Sequence, residues 1–178
     1  MRIYGYIDEE TTSEKTILKS SFARPSAMGF LLVAVLWCPR ASATPKNSLC
    51  PLLRAFVASV PAKETRKLEF HTSWGGGFKN DTGNSLFAKN CVHNGYAPAK
   101  VACDDLMVRG QVEFAGNNAV AAITCLSPGT RFGQWIDLGR IDMTFPYRAS
   151  RQARDVTIQF DEDTQLGGMV LTVAVSAY

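Results

Sequence analysis

The chain has 178 residues, 46% hydrophobic and 20% charged, with 19 Lys and Arg against 16 Asp and Glu for a formal net charge of +3. So even a balance argues against a nucleic-acid or anionic-membrane partner, while the apolar content suits a chain that buries a core. No internal repeat or low-complexity segment is visible.

The apolar run 29–37 is too short to cross a bilayer as a helix, and Ala41-Ser42-Ala43 behind it fits the small-residue rule of a signal peptidase site. A leader over 1–43 and one mature domain over 44–178 are therefore expected, with export to the periplasm or the exterior. The segment before the run is long for a signal. Either Lys19 and Arg24 supply its positive charge, or Met28 is the true start. Trp37 stands before Cys38, where a lipoprotein signal needs a small residue, so lipid anchoring is disfavoured. The mature part has no second apolar run of spanning length.

Cleavage leaves Cys50, Cys91, Cys103 and Cys125, an even set in an oxidising compartment, and two disulfides follow. Three connectivities are open. A short loop favours Cys91 with Cys103, leaving Cys50 for Cys125.

The first predicted element is an amphipathic helix over 48–60, where Leu49, Leu52, Leu53, Phe56, Val57 and Val60 recur at helical spacing. Asn47 or Ser48 can cap it, Pro51 falls in its first turn, and Pro61 stops it. Over 67–74 the period becomes two, and Leu68, Phe70, Thr72 and Trp74 define one face of a strand. Residues 75–84, rich in Gly with Asn80 and Asp81, read as a loop. A short helix closed by Gly95 is expected over 85–94, and another from Pro98 to a stop at Gly110. A brief extended piece, 111–114, precedes a helix over 118–126, with Asn117 as its cap and Ser127-Pro128-Gly129 at its end.

From Arg140 the pattern is β. Ile141, Met143 and Phe145 alternate with polar residues, as do Val156, Ile158 and Phe160, and 170–178 is a longer β-rich run. The last two strands flank the polar connection 161–168 and should form a hairpin. The expected fold is α+β, a disulfide-stapled single domain with N-terminal and central short helices packed on an antiparallel β-sheet.

Chemistry is weakly signalled. Glu69, His71 and Ser73 share one strand face, but residues two apart project in parallel at about 6.5–7 Å instead of converging as a triad does. Cys91, His93 and Cys103 could hold zinc, yet disulfide formation competes for both thiols. The acidic run 161–163 lacks a calcium-loop pattern and suits a solvated turn. Arg140, Arg148, Arg151 and Arg154 read as exposed loop charge, and Asn80 opens an N-x-T glycosylation pattern. No cofactor or metal is expected.

The remaining feature is aromatic. Trp74, Gly76 and Phe78 place two rings around a flexible loop on which Tyr96 and Trp135 could converge, and such rings anchor protein contacts. The sequence is similar to the general type of small, disulfide-stapled envelope proteins. The expected function is a secreted or periplasmic, non-enzymatic protein-binding domain of the inhibitor or immunity-protein kind, its partner another envelope or secreted protein. Two alternatives are a small extracytoplasmic hydrolase using His71 or His93, and an envelope module for a small ligand or glycan.

Overall fold

Helix α1 (Leu49–Ser59) follows from its apolar stripe, which buries Leu53, Phe56 and Val57. It ends where Pro61 forces the preceding residue out of the helical region, and Val60 is extended at φ −65°, ψ 122°. The computed structural model describes residues 48–79, 81–133, 137–149 and 152–178. The leader expected over 1–43, and with it Thr44, Asn80, Trp135 and Arg151, lies outside the described residues.

Strand β1 (Thr65–Trp74) is followed by β2 (Phe87–Val92), then by α2 (Ala97–Arg109) and α3 (Gly116–Leu126). The strands β3 (Ile141–Ala149), β4 (Gln152–Glu162) and β5 (Met169–Ala177) complete the fold. The five strands form one antiparallel sheet in the order β2-β1-β5-β4-β3, with β5 paired to both β1 and β4. Alternation decides which face is buried. Leu68 and Phe70 on β1, Val156, Ile158 and Phe160 on β4, and Leu171, Val173 and Val175 on β5 point to the helices and are at most 2% exposed. Among the described residues the fold is α+β, three helices packed on a five-stranded antiparallel sheet. Among the described residues no helix is long and apolar enough to cross a membrane.

The cysteines pair Cys50 with Cys125 and Cys91 with Cys103, at Cα separations of 5.0 and 5.6 Å. The first bridge ties α1 to α3, and the second ties β2 to α2. Small residues, Ala99 and Ala102 on α2 and Ala119 and Ala122 on α3, bring the helices close to their neighbours.

Several expectations need correction. Residues 85–94 are not a helix: 87–92 form β2, because pairing with β1 and the bridge to Cys103 override a weak local preference. Residues 111–114 are a bend and turn instead of an extended piece. Asn117 lies within α3 and Ala115 occupies the cap position, while the buried Asn118 holds the 111 turn, accepting from Gln111 N–H at 2.9 Å and donating to Gln111 C=O at 2.7 Å. Ser48 stands at the cap of α1 without capping it, and its hydroxyl donates to Asp105 Oδ1 at 2.8 Å.

Arg154 is not exposed loop charge. It is buried at 3% exposure, and Nη2 donates to the C=O groups of Ala58 at 2.9 Å and Val60 at 3.2 Å, the carbonyls that the end of α1 leaves open. Arg140 is exposed and lies 3.4 Å from Asp161.

Candidate functional site

The site grows from where α2 stops. Residues whose sum is 161 pair across β1 and β2, and Gly75 N–H donates to Leu86 C=O at 3.0 Å just past the ladder. Hydrogen-bonded pairs alternate along an antiparallel ladder, so Trp74 and Phe87 form a pair without backbone bonds between them, the type whose side chains stand closest. Both have the parity of Phe70 and Cys91 and lie on the helix side of the sheet. The helix does not reach them. Lys89 Nζ donates to Met107 C=O at 3.3 Å in the last turns of α2, and Trp74 and Phe87 lie beyond that level.

The last strand pair therefore projects past the helix layer into solvent. Trp74 is 58% exposed, Phe87 53% and Leu86 80%. Isolated apolar residues on a surface are ordinary, but adjacent rings on a paired strand end form a patch. The alternation with Phe70 and Thr72 points Trp74 to the helix side without burying it. Phe78 is half-buried, and its N–H donates to Asp81 Oδ2 at 3.3 Å. Gly75 takes φ +80° with nothing near its missing Cβ, which lets the chain leave β1 directly behind Trp74. Gly76, next to it, is half-buried.

The loop behind the patch is pinned to the β4–β5 connection. Lys79 N–H donates to Leu166 C=O at 2.7 Å, and Lys79 Nζ donates to Thr164 C=O at 2.8 Å. Beneath it His71 Nδ1 lies 2.7 Å from Asp163 Oδ2, while Asp163 Oδ1 accepts the N–H groups of Gln165 and Leu166, both at 2.9 Å. Burial pushes the Asp163 carboxyl up, but the Leu166 N–H, the His71 ring and the Gln165 N–H outweigh it and hold the carboxyl below its ordinary value.

Tyr96 does not join this cluster. Its ring lies under the Arg66 guanidinium at 5.1 Å and against Phe56, and its hydroxyl donates to Ser59 C=O at 2.8 Å. Arg66 and Trp74 are eight positions apart on one strand, about 26 Å at the usual strand rise, so Tyr96 packs toward the far end of β1 from the patch. Trp135 lies outside the described residues.

Glu69, His71 and Ser73 do share the face away from the helices, without converging. Glu69 pairs with Lys67 at 2.8 Å, and Ser73 Oγ donates to Gly77 C=O at 3.2 Å. Cys91 and Cys103 are bonded to each other, which leaves His93 in the turn after β2 without thiolate neighbours. Asp163 organises a turn, so the 161–163 run acts in the backbone of the hairpin. A cavity of about 460 Å³, open to solvent, lies elsewhere, floored by Ile123, Phe132, Ile141 and Met143 with Arg131 and Asp142 at its rim.

Leu86, Phe87 and the pairing of Asp163 with His71 are not among the features expected from the sequence. The adjacent apolar pair at the exit of a glycine-rich loop was the available signal for the first two. The chain matches no protein-family model, no curated protein and no solved structure.

Proposed function

We propose that the mature chain is a secreted or periplasmic protein-binding domain of the inhibitor or immunity-protein kind, which engages another envelope or secreted protein through the Trp74 and Phe87 patch. The observation that carries this reading is the cross-strand pair Trp74–Phe87, more than half exposed on both sides and held on a disulfide-anchored hairpin. Rigid aromatic anchors with few rotamers contribute disproportionately to protein contacts. Two disulfides suit an oxidising compartment, and the apolar run with Ala41-Ser42-Ala43 supplies the route there.

The test is capture of envelope and culture-fluid proteins on the immobilised mature domain, with the bound species identified by mass. Trp74→Ala and Phe87→Ala should each weaken capture at least about tenfold, the loss of a typical hot spot, and leave the melting temperature nearly unchanged. Unaltered capture by both variants would remove the patch from the function. Intact mass of exported protein should begin at Thr44.

A second reading, a small hydrolase, is favoured by the His71–Asp163 contact, in which a carboxylate orients an imidazole as in acyl-transfer sites. It requires a nucleophile at the other ring nitrogen, and Ser73, two positions along the strand, projects parallel to the ring. Loss of a measured hydrolysis in His71→Ala would decide for it.

A further inference from the structure

We infer that the free edge of β2 takes an extended segment of the partner protein as a sixth strand, with an acidic side chain placed against Lys89 and apolar ones beside it. This rests on the reading of the Trp74–Phe87 patch as a protein contact and specifies how that contact continues.

The geometry follows from the ladder phase. Gly75 bonds Leu86, so Ala88, Asn90 and Val92 fall in the positions whose backbone faces β1, and Phe87, Lys89 and Cys91 present their N–H and C=O groups outward. β2 stands at the end of the sheet, and no described residue hydrogen-bonds those outward groups. Such an edge is a template for another strand. The opposite edge is different: β3 carries Pro146 at its middle, which removes a donor and blunts it. The bridge between Cys91 and Cys103 fixes β2 to α2, so the template is already ordered before anything binds.

The side chains set the chemistry of the occupant. Phe87, Lys89 and Cys91 share the helix side, so an added strand would set alternate residues beside an aromatic ring, an ammonium and a disulfide. At Phe87 the cross-strand neighbour is Trp74, and the Lys89 ammonium leads to α2, where Met107 is 41% exposed and Val108 76%. An apolar residue opposite Phe87 continues that patch, and a carboxylate opposite Lys89 forms a cross-strand ion pair. Burial lowers the Lys89 ammonium from its ordinary value, and a carboxylate alongside favours the charged form again. A second copy of this chain is the poorer occupant, because two-fold antiparallel pairing centred on the strand sets Lys89 against its own copy.

The probe is a ten-residue synthetic peptide alternating threonine with leucine, with glutamate in place of the central leucine, N-methylated along one edge so that it cannot stack on itself. A matched peptide carries lysine at the centre. Amide exchange by NMR on the disulfide-intact mature domain should show Phe87, Lys89 and Cys91 slowed about tenfold or more by the glutamate peptide, with Ala88 and Asn90 unchanged. The glutamate peptide should bind about tenfold more tightly than the lysine peptide, and Lys89→Glu should reverse that order. Lys89→Pro removes an outward donor without touching the β1 ladder, so it should keep the fold and abolish protection. Edge amides left unprotected at 1 mM peptide, on the order of the weakest specific binding, overturn the inference. So does protection that rises with protein concentration alone, which assigns the edge to a second copy. If Trp74→Ala abolishes partner capture while the edge amides stay unprotected in the complex, the patch stands and the added strand falls.

Discussion

Asp163 and His71, 92 positions apart, meet at 2.7 Å and fasten the β4–β5 connection to the strand that leads into the Trp74 loop. One carboxylate does two things there. Its Oδ2 takes the imidazole, and its Oδ1 closes the turn by accepting two backbone N–H groups. Both roles require the ionised form or are strengthened by it.

The pH dependence has a defined sign. Asp163 in the folded chain titrates below the ordinary aspartate value of 3.8, so its contribution to stability is fully present above that value and is lost as pH falls through the lower folded one. Urea midpoints measured from pH 7 to pH 2 should fall more steeply below about pH 4 for the wild type than for Asp163→Asn. At pH 7 the variant should cost about 1–3 kcal/mol, since the amide keeps the shape but weakens both contacts. Parallel acid limbs in the two proteins would remove Asp163 from the account.

Arg154 makes the second prediction. Its guanidinium reaches from β4 to the C=O groups of Ala58 and Val60, so truncation leaves the end of α1 without its donor and opens space inside the domain. Arg154→Ala should cost about 2–4 kcal/mol by chemical denaturation, whereas Arg148→Ala, at an exposed position, should stay within about 0.5 kcal/mol. Equal costs would return Arg154 to the exposed charges with which its sequence neighbours group it.

Much of the fold is legible because local patterns and tertiary demands coincide. Leu68 and Phe70, or Val156, Ile158 and Phe160, alternate because one face of a strand packs on helices, and that needs no knowledge of the partner strand. β2 is not legible for the complementary reason. Phe87 and Cys91 are four apart, which suits a helix, and what makes them a strand is pairing with β1 and a bridge to Cys103, neither of which lies in the segment. The site was half legible. Trp74 and its glycines announce a loop with anchors, but exposure of Trp74 depends on where α2 ends relative to β1. The Asp163–His71 contact depends on strand order and had no local signal.

The two disulfides should contribute unequally. Cys50 and Cys125 are 75 positions apart and Cys91 and Cys103 only 12, so closing the longer loop restricts the unfolded chain more. Chain-entropy arithmetic gives about 4.5 kcal/mol for the first and about 3 kcal/mol for the second. Paired Cys→Ser variants, compared by denaturant titration, should show the larger loss for Cys50 and Cys125. The shorter bridge should instead reveal itself locally, as faster amide exchange along β2 with little change in α1. An equal drop in both variants would mean that native contacts around the bridges, and not loop closure, set the cost.

Gly168 and Gly75 offer a matched pair for separating backbone strain from steric conflict. Both take left-handed conformations, at φ +83° and +80°, but a Cβ on Gly168 would lie 2.1 Å from the Thr72 carbonyl oxygen, whereas one on Gly75 meets nothing within 4 Å. Gly75→Ala should therefore cost only the conformational penalty of about 1–2 kcal/mol. Gly168→Ala must in addition push β5 away from β1 beside the Asp163 turn, and should cost at least about 3 kcal/mol. It should also lengthen the His71–Asp163 contact, which NMR of the imidazole would register, while Gly75→Ala leaves that signal in place. If the two substitutions cost the same and neither moves the His71 resonance, then the close approach of Gly168 to Thr72 does not hold the β4–β5 connection against β1.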